Sequence, residues 1–293
     1  MYNSIEQIIN DCNTLSLPMW KVIQKEDCKE AGISEEASYE KMATFFQAMK
    51  DSDLSYDKTM MSRSGLIGPE ASLVGEARKE NKLMIGDFLG RIMERALRVA
   101  SCNACMKTIV AAPTAGSCGV VPAVLLTIQE EMNLSDDKMI EALYVVAGIG
   151  GVIASRATLS GAEGGCQAEI GSASAMAAGA LCFIKGGSPT QVSHASALAL
   201  KGLLGLACDP VAGLVEVPCV KRNVIGAINA VSSADMSLCG IKSKIPADEV
   251  FDAMRNIGHS MSADIRETGI GGLAGTNTGV KIRHKVLGQT PLK

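Results

Sequence analysis

Residues 161–184 read GAEGGCQAEIGSASAMAAGALCFI. The first five, Gly161 to Gly165, are glycine-rich and read as a connection. Cys166 follows at once, and Glu169 to Ile184 then runs as a helix built almost entirely from small apolar residues. Side chains of that size let helices approach one another closely, whereas a core of aromatic plates would hold them apart. A glycine-rich connection that presents a cysteine, followed by a closely packed helix, predicts a mostly α-helical protein with functional loops where helix ends meet.

The sequence on either side repeats the pattern. Apolar residues recur at helical spacing from Asp87 to Val110 (Phe88, Ile92, Met93, Ala96, Val99, Ala100), and Val120–Met132, Met139–Ala154, Pro189–Leu206 and Ala247–Met261 also read as helices. Ser135-Asp136-Asp137 and Ser188-Pro189 supply helix starts. Leu214 to Val217 is about the only alternating, strand-like stretch. Further glycine-rich connections span Pro113–Gly119, Gly186-Gly187 and Gly269–Gly279, and no internal repeat is present. Residues 1–57 hold two or three polar, amphipathic helices, the single Trp (Trp20) and an acidic stretch, Glu35 to Glu40. They are expected to form a small helical appendage on one helical domain spanning 58–293.

Bulk properties narrow the function. The 293 residues are 47% hydrophobic, 20% charged and 3% aromatic, with 30 Gly and 15 Met, so a large core of small side chains is expected. The 28 basic and 31 acidic residues are intermixed and give a net charge of −3, with no basic run or basic-aromatic stripe for nucleic acid. The N-terminus, MYNSIEQIIN, is amphipathic and unlike an export signal. Ala142–Ala154, the longest apolar run, has thirteen residues including three Gly, too few to span a bilayer. A cytoplasmic protein, with no membrane partner, is the expectation.

In a reducing compartment the ten Cys are not a disulfide framework. Each is a buried small apolar residue or a metal ligand. Cys166, Cys208 (in Cys208-Asp209-Pro210) and Cys219 (in Pro218-Cys219) lie in loops rich in Gly or Pro, where backbone comes close to a bulky ligand. Their spacing differs from the compact cysteine runs of ferredoxin-type carriers. Three thiolates without an obvious fourth would leave one iron of a [4Fe–4S] cluster open; buried thiols are the other reading. Cys102 and Cys105 form a C-x-x-C inside a helical pattern and read as packing, as do Cys182 and Cys239. Cys12 and Cys28 belong to the appendage, and Cys118 suits either a functional loop or the core.

The strings APTAGSCGVVPAVLL (112–126), GAEGGCQAEIGSASAMAAGA (161–180), CDPVAGLVEVPCVKRN (208–223) and RETGIGGLAGTNTG (266–279) resemble, in this order, the alpha chain of iron–sulfur-dependent L-serine dehydratases. The resemblance covers roughly residues 60 to 285. It implies a helical catalytic domain acting on L-serine, with an oxygen-sensitive [4Fe–4S] cluster on Cys166, Cys208 and Cys219. It also implies a separate β chain that completes the enzyme and supplies a histidine to the joint site. Two features depart from the family's pattern. Ser64-Gly-Leu-Ile-Gly-Pro-Glu70 stands where the family has S/T-G-L-T-G-G-D, and Thr290–Lys293 carries no terminal cysteine.

Dehydration of serine requires removal of the α-proton and a better leaving group than hydroxide; an open iron acts on the latter as a Lewis acid. A pyridoxal phosphate enzyme reaches the same products through a lysine, but the α/β pattern of such enzymes is missing here and the cysteines would be idle. Thr114 and Ser117 are candidates for binding the substrate carboxylate, against simple capping of the following helix. Lys221, Arg222 and Asn223 follow Cys219, and either serve the anionic site or, for the basic pair, lie solvated. Glu163 and Glu169 flank Cys166 as candidates for hydrogen bonding or acid–base work, against surface exposure. His194, His259 and His284 sit in helical or terminal segments without diagnostic neighbours, so no base is assigned to this chain. The same elimination on threonine or cysteine, a non-catalytic iron–sulfur sensor, and a zinc protein are the competing readings.

Overall fold

The computed structural model describes residues 2–288, so the terminal stretch 290–293 lies outside the described residues. Among these are thirteen α-helices: α1 (Ile5–Leu15), α2 (Met19–Ala31), α3 (Glu35–Leu54), α4 (Glu70–Lys79), α5 (Gly86–Ala104), α6 (Val120–Met132), α7 (Asp136–Arg156), α8 (Gly161–Gly164), α9 (Ser172–Ile184), α10 (Pro189–Lys201), α11 (Cys219–Leu238), α12 (Ala247–Ser260) and α13 (Asn277–Leu287). No strand occurs among the described residues; the one isolated β-bridge joins Cys208 to Arg266. The protein is mostly α, as the sequence predicts.

Local signals set most boundaries. Ser135 accepts the Lys138 amide at the start of α7, and Ser188 forms a reciprocal capping box with Gln191 where Pro189 opens α10. α10 stops at Lys201 rather than running to Leu206, because Gly202 loosens the turn and Gly205 takes φ +84°. α5 ends at Ala104 instead of Val110, where Met106 adopts φ 60° and Lys107 bonds back to the Cys102 carbonyl. The helix expected over Glu169–Ile184 opens as a π-helical turn, Gln167–Gly171, before α9 proper begins, and the expected connection Gly161–Gly165 holds the one-turn helix α8, closed by the Gly165 amide on the Gly161 carbonyl. Leu214–Val217 is not a strand: the Val211 amide bonds to the Val217 carbonyl and closes the segment into a loop.

α9 is the centre of the molecule. Every one of its residues except Phe183 is buried, and α7, α10 and α11 pack around it. At Gly179 a methyl group would run into Ile149 and stand 2.7 Å from Ser196 Oγ, so the close approach depends on having no side chain there. α7 has 21 residues and, by length and composition, could cross a membrane, which the thirteen-residue apolar run did not foretell. Its buried face, including Leu143, Val145, Ile149 and Val152, belongs to the core shared with α2, α3 and α9.

The first 57 residues form α1–α3, and their Ile5, Ile8, Met19, Val22, Phe46 and Met49 lie in the same buried cluster as α9. Polar groups tie this layer down as well. The Tyr144 hydroxyl on α7 lies 2.8 Å from Ser38 Oγ and accepts from Gln24 Nε2 at 3.3 Å. Asp53, buried at the end of α3, accepts from Arg95 and Arg98 on α5, which satisfies a carboxylate that would be costly alone.

Candidate active site

Five connections meet at one end of α9. They are the loops 62–70, 113–119, 161–171 and 206–219, and the glycine-rich segment 263–275. Side chains and backbone stitch them together. Gln167 is fully buried; it donates to the carbonyls of Gly164 (2.8 Å) and Met254 (3.0 Å) and accepts from the Gly205 amide (2.9 Å). Ser62 and Ser64 both donate to Glu216, which joins the first loop to the segment between Cys208 and Cys219. The Cys208 amide bonds to the Ile265 carbonyl at 2.9 Å, and the Cys208 carbonyl accepts from Glu267 at 2.7 Å. At Gly165 the backbone takes φ +75°, and a side chain there would also meet Met261 and the Leu206 carbonyl.

Cys166, Cys208 and Cys219 converge here. All are buried and unbridged, and each lies within electrostatic reach of at least one of the others. Burial pushes the Cys166 thiol up to about 11, opposed by Arg222, and the Cys219 thiol up to about 12, with Cys166 and Glu169 adding to the rise. Cys208 is raised by burial first, then by Glu169 and Cys166. Glu169 spans the pocket, accepting from Thr114 Oγ1 at 2.7 Å on one oxygen and from Cys208 Sγ at 3.7 Å on the other. Burial raises its carboxyl, with Glu267 nearby adding to the effect and the Thr114 and Cys208 bonds opposing it. A Cβ at Gly161 would stand 2.7 Å from Glu169 Oε2 and 2.9 Å from Cys208 Sγ, so this glycine forms the wall against both groups.

Of the residues singled out in the sequence, Thr114 reaches the pocket through Glu169. Ser117 is fully buried and forms a capping box with Thr114 around the short turn Ala115–Ser117. Asn223 lies under the same loop, with both ends of its amide engaged by backbone. Lys221 turns outward and pairs with Glu70 at 2.6 Å. Arg222 turns inward, donating to the Ala207 carbonyl (2.7 Å) and to Asp209 (2.9 Å), with its guanidinium against Cys166. Glu163 is exposed and accepts from Thr158, so only Glu169 of the pair flanking Cys166 faces the site. Asp209, Gln167 and Glu216 are the site residues the sequence did not flag; Asp209, adjacent to Cys208 and before a proline, carried the one available signal.

The remaining cysteines sort differently. Cys118 is fully buried, directs its thiol toward the Val99 carbonyl and neighbours Cys102, away from the pocket. Cys102 packs against Ser52 and Ser55. Cys182 is buried, but Cys239, expected in the core, is exposed at the end of α11, where the helix closes and the chain turns out at Gly240. His259 is exposed and His194 half-buried on α10. Desolvation, with Lys242 and Lys201 adding to it, holds the His194 imidazole below its usual value. Among the described residues no three His, Cys, Asp or Glu side chains stand close enough to chelate a single metal ion. A cluster that brings its own sulfides sits on thiolates held further apart.

Comparison with known proteins gives this arrangement a family. The model of the "Serine dehydratase alpha chain" family matches residues 14–274. The chain is 42% identical to the "L-serine dehydratase, alpha chain" of Peptoniphilus asaccharolyticus, over 98% of this chain and 99% of that one. It is 41% identical to the "Probable L-serine dehydratase, alpha chain" of Bacillus subtilis (strain 168), over 98% and 96%. Identity to the Latilactobacillus sakei protein of the same description is 51%, over 69% of this chain and 97% of the relative. The matched span begins inside α1 and takes in the connections around the three cysteines up to residue 274. The chain belongs to the serine dehydratase alpha chain family.

Proposed function

We propose that this chain is the catalytic subunit of a cytoplasmic, pyridoxal-phosphate-independent L-serine ammonia-lyase that forms pyruvate and ammonia. In this reading a [4Fe–4S] cluster is held by Cys166, Cys208 and Cys219, and a β chain completes the site. The observation that carries it is that three buried, unbridged thiols, one from the 161–171 segment and two from the ends of 206–219, lie within electrostatic reach of one another beside Glu169. The donor set fits the group. Soft sulfur ligands suit iron, the glycine at 161 leaves room beside Cys208, and a guanidinium lies against Cys166 to offset negative charge.

When bound, the cluster supplies an iron without a protein ligand that acts as a Lewis acid toward the departing hydroxyl. The protein's own residues bind and orient the rest. Thr114, at the head of the 113–119 loop, donates its hydroxyl to Glu169 and turns that proton to the substrate carboxylate when substrate enters. Ser117 and Asn223 support that loop from below, and Lys221 fixes the 62–70 loop through Glu70. Glu169, between Thr114 and Cys208, is placed to hold and pass a proton within the pocket. The α-proton base is assigned to the β chain. Ile67, where the family has Thr, is fully buried and acts on the shape of the loop rather than on substrate.

The test is pyruvate production from L-serine under strict anaerobiosis, after iron and sulfide reconstitution, with and without the β chain. Cys166→Ala, Cys208→Ala and Cys219→Ala are assayed beside the wild type. Activity that requires both cluster and partner, and is lost in each variant, is the expected result. A fully assembled cluster and partner that turn over none of serine, threonine or cysteine would overturn the reading in favour of a sensor.

A further inference from the structure

Cys166 is far in sequence from Cys208 and Cys219, and no strand or common helix aligns the three. Beside the bonds of Gln167 to Gly205 and Leu206, one guanidinium joins their segments. Arg222 stands one helical turn after Cys219 on α11. From there it donates to the carbonyl of Ala207, the residue before Cys208, at 2.7 Å, and to Asp209, the residue after it, at 2.9 Å. Its charge also acts on Cys166 and opposes the rise that burial imposes on that thiol. Asp209 is in turn fixed from behind, because its second oxygen accepts the Leu273 amide at 2.8 Å. A Cβ at Gly272 would collide with that carboxylate, so the backbone can close on Asp209 only with glycine there.

The pair is buried, with side-chain exposures of 16% for Arg222 and 6% for Asp209. Burying two charges contributes little net stability, since desolvation offsets most of the attraction. A well-packed apolar pair would serve a purely structural purpose as well. The planar fork of arginine is suited to serve several acceptors in fixed directions, and a lysine ammonium cannot reproduce it.

We propose that Arg222, held by Asp209, is the positioning residue that gathers the segments bearing Cys166, Cys208 and Cys219, and that it donates to the Cys166 sulfur in the loaded site. The second half of this rests on the proposed cluster; the first half does not. A donor on a ligand sulfur stabilises the more negative state of a cluster, so the loaded site has a higher reduction potential with Arg222 than without it.

The experiment compares wild type, Arg222→Lys, Arg222→Met and Asp209→Asn, as full-length chains with the β chain present. Each is loaded anaerobically with ferrous iron and sulfide. Iron and sulfide per chain, the reduction potential from an EPR-monitored titration, and the rate of cluster loss in air are read. In parallel, the cluster-free proteins are alkylated with a maleimide, and the reacted cysteines are mapped by mass spectrometry. Arg222→Lys is expected to load, with a potential shifted negative and a several-fold faster loss in air. Arg222→Met and Asp209→Asn are expected to load less, and in all three cluster-free variants Cys166 and Cys208 react several-fold faster than in wild type. Wild-type loading together with unchanged potential, decay and alkylation in Arg222→Lys and Asp209→Asn would overturn the proposal. If the wild type takes up no cluster, the functional reading fails, and the alkylation rates still decide whether Arg222 gathers the thiols.

Discussion

Asn223 Oδ1 accepts the Gly119 amide at 2.8 Å, while its Nδ2 donates to the carbonyls of Gly116 and Cys219 at 2.8 and 2.9 Å. One buried side-chain amide thus joins the 113–119 loop to the first turn of α11. Both partners must keep their places, since a Cβ at Gly119 would stand 2.5 Å from the Ala96 carbonyl. Removing the amide strands the Gly119 N–H and the Gly116 carbonyl, each costing about 1–3 kcal/mol, while the Cys219 carbonyl keeps its helical bond. Asn223→Ala is expected to lose about 3 kcal/mol in denaturant unfolding, by the same principle. Asn223→Asp, which keeps the acceptor but sets a buried carboxylate oxygen against two carbonyls, is expected to lose at least as much.

Glu169 links Thr114 to Cys208, and its role is separable from holding the fold. Glu169→Gln retains the shape and the bond from Thr114 while removing the capacity to accept a proton. With the cluster loaded, kcat is expected to fall about 10²-fold or more, the usual range for a lost acid–base group. Iron content is expected to stay at the wild-type level. A parallel fall in iron and activity would make Glu169 a support for the cysteines instead.

The Lys221–Glu70 pair offers a pH test. Burial works against ionisation of Glu70, but Lys221 and the amides around Gly68 outweigh it and hold the carboxyl below its usual 4.5. A lowered carboxyl contributes stability above the unfolded value and loses it as pH falls through the folded one. Lys221 is 48% exposed, so the pair is screened and Lys221→Met is expected to cost less than about 1 kcal/mol at pH 7. In melting curves the gap between variant and wild type should hold constant from neutrality down to about pH 5 and close at more acid pH. A gap that widens on acidification would contradict the pairing.

Gly179 tests the central packing. Alanine is the better helix former by up to about 1 kcal/mol, yet the added methyl meets Ile149 and Ser196. Overpacking of a filled core costs about 1–3 kcal/mol, so Gly179→Ala is expected to lower the Tm. An unchanged or higher Tm would mean that α7 and α10 can yield around α9.

Much of this molecule was readable in the sequence because helices are specified locally. Apolar spacing, serine caps and glycine stops are properties of a few neighbouring residues, and they placed α6 and the starts of α10 and α12. The three cysteines in Gly- or Pro-rich loops were visible for the same reason. Tertiary structure decided what local pattern cannot carry. Glu163 and Glu169 look equivalent beside Cys166, but the π-helical turn changes the register and brings only Glu169 to the pocket. Cys118 shares a loop string with Thr114, yet its thiol points to the Val99 carbonyl in the core. Arg222 and Lys221 are adjacent in sequence, and the turn of α11 sends one inward to Asp209 and the other out to Glu70. The bonds that assemble the site join residues brought together only when α9 and its neighbours close, and burial then makes each such polar contact obligatory.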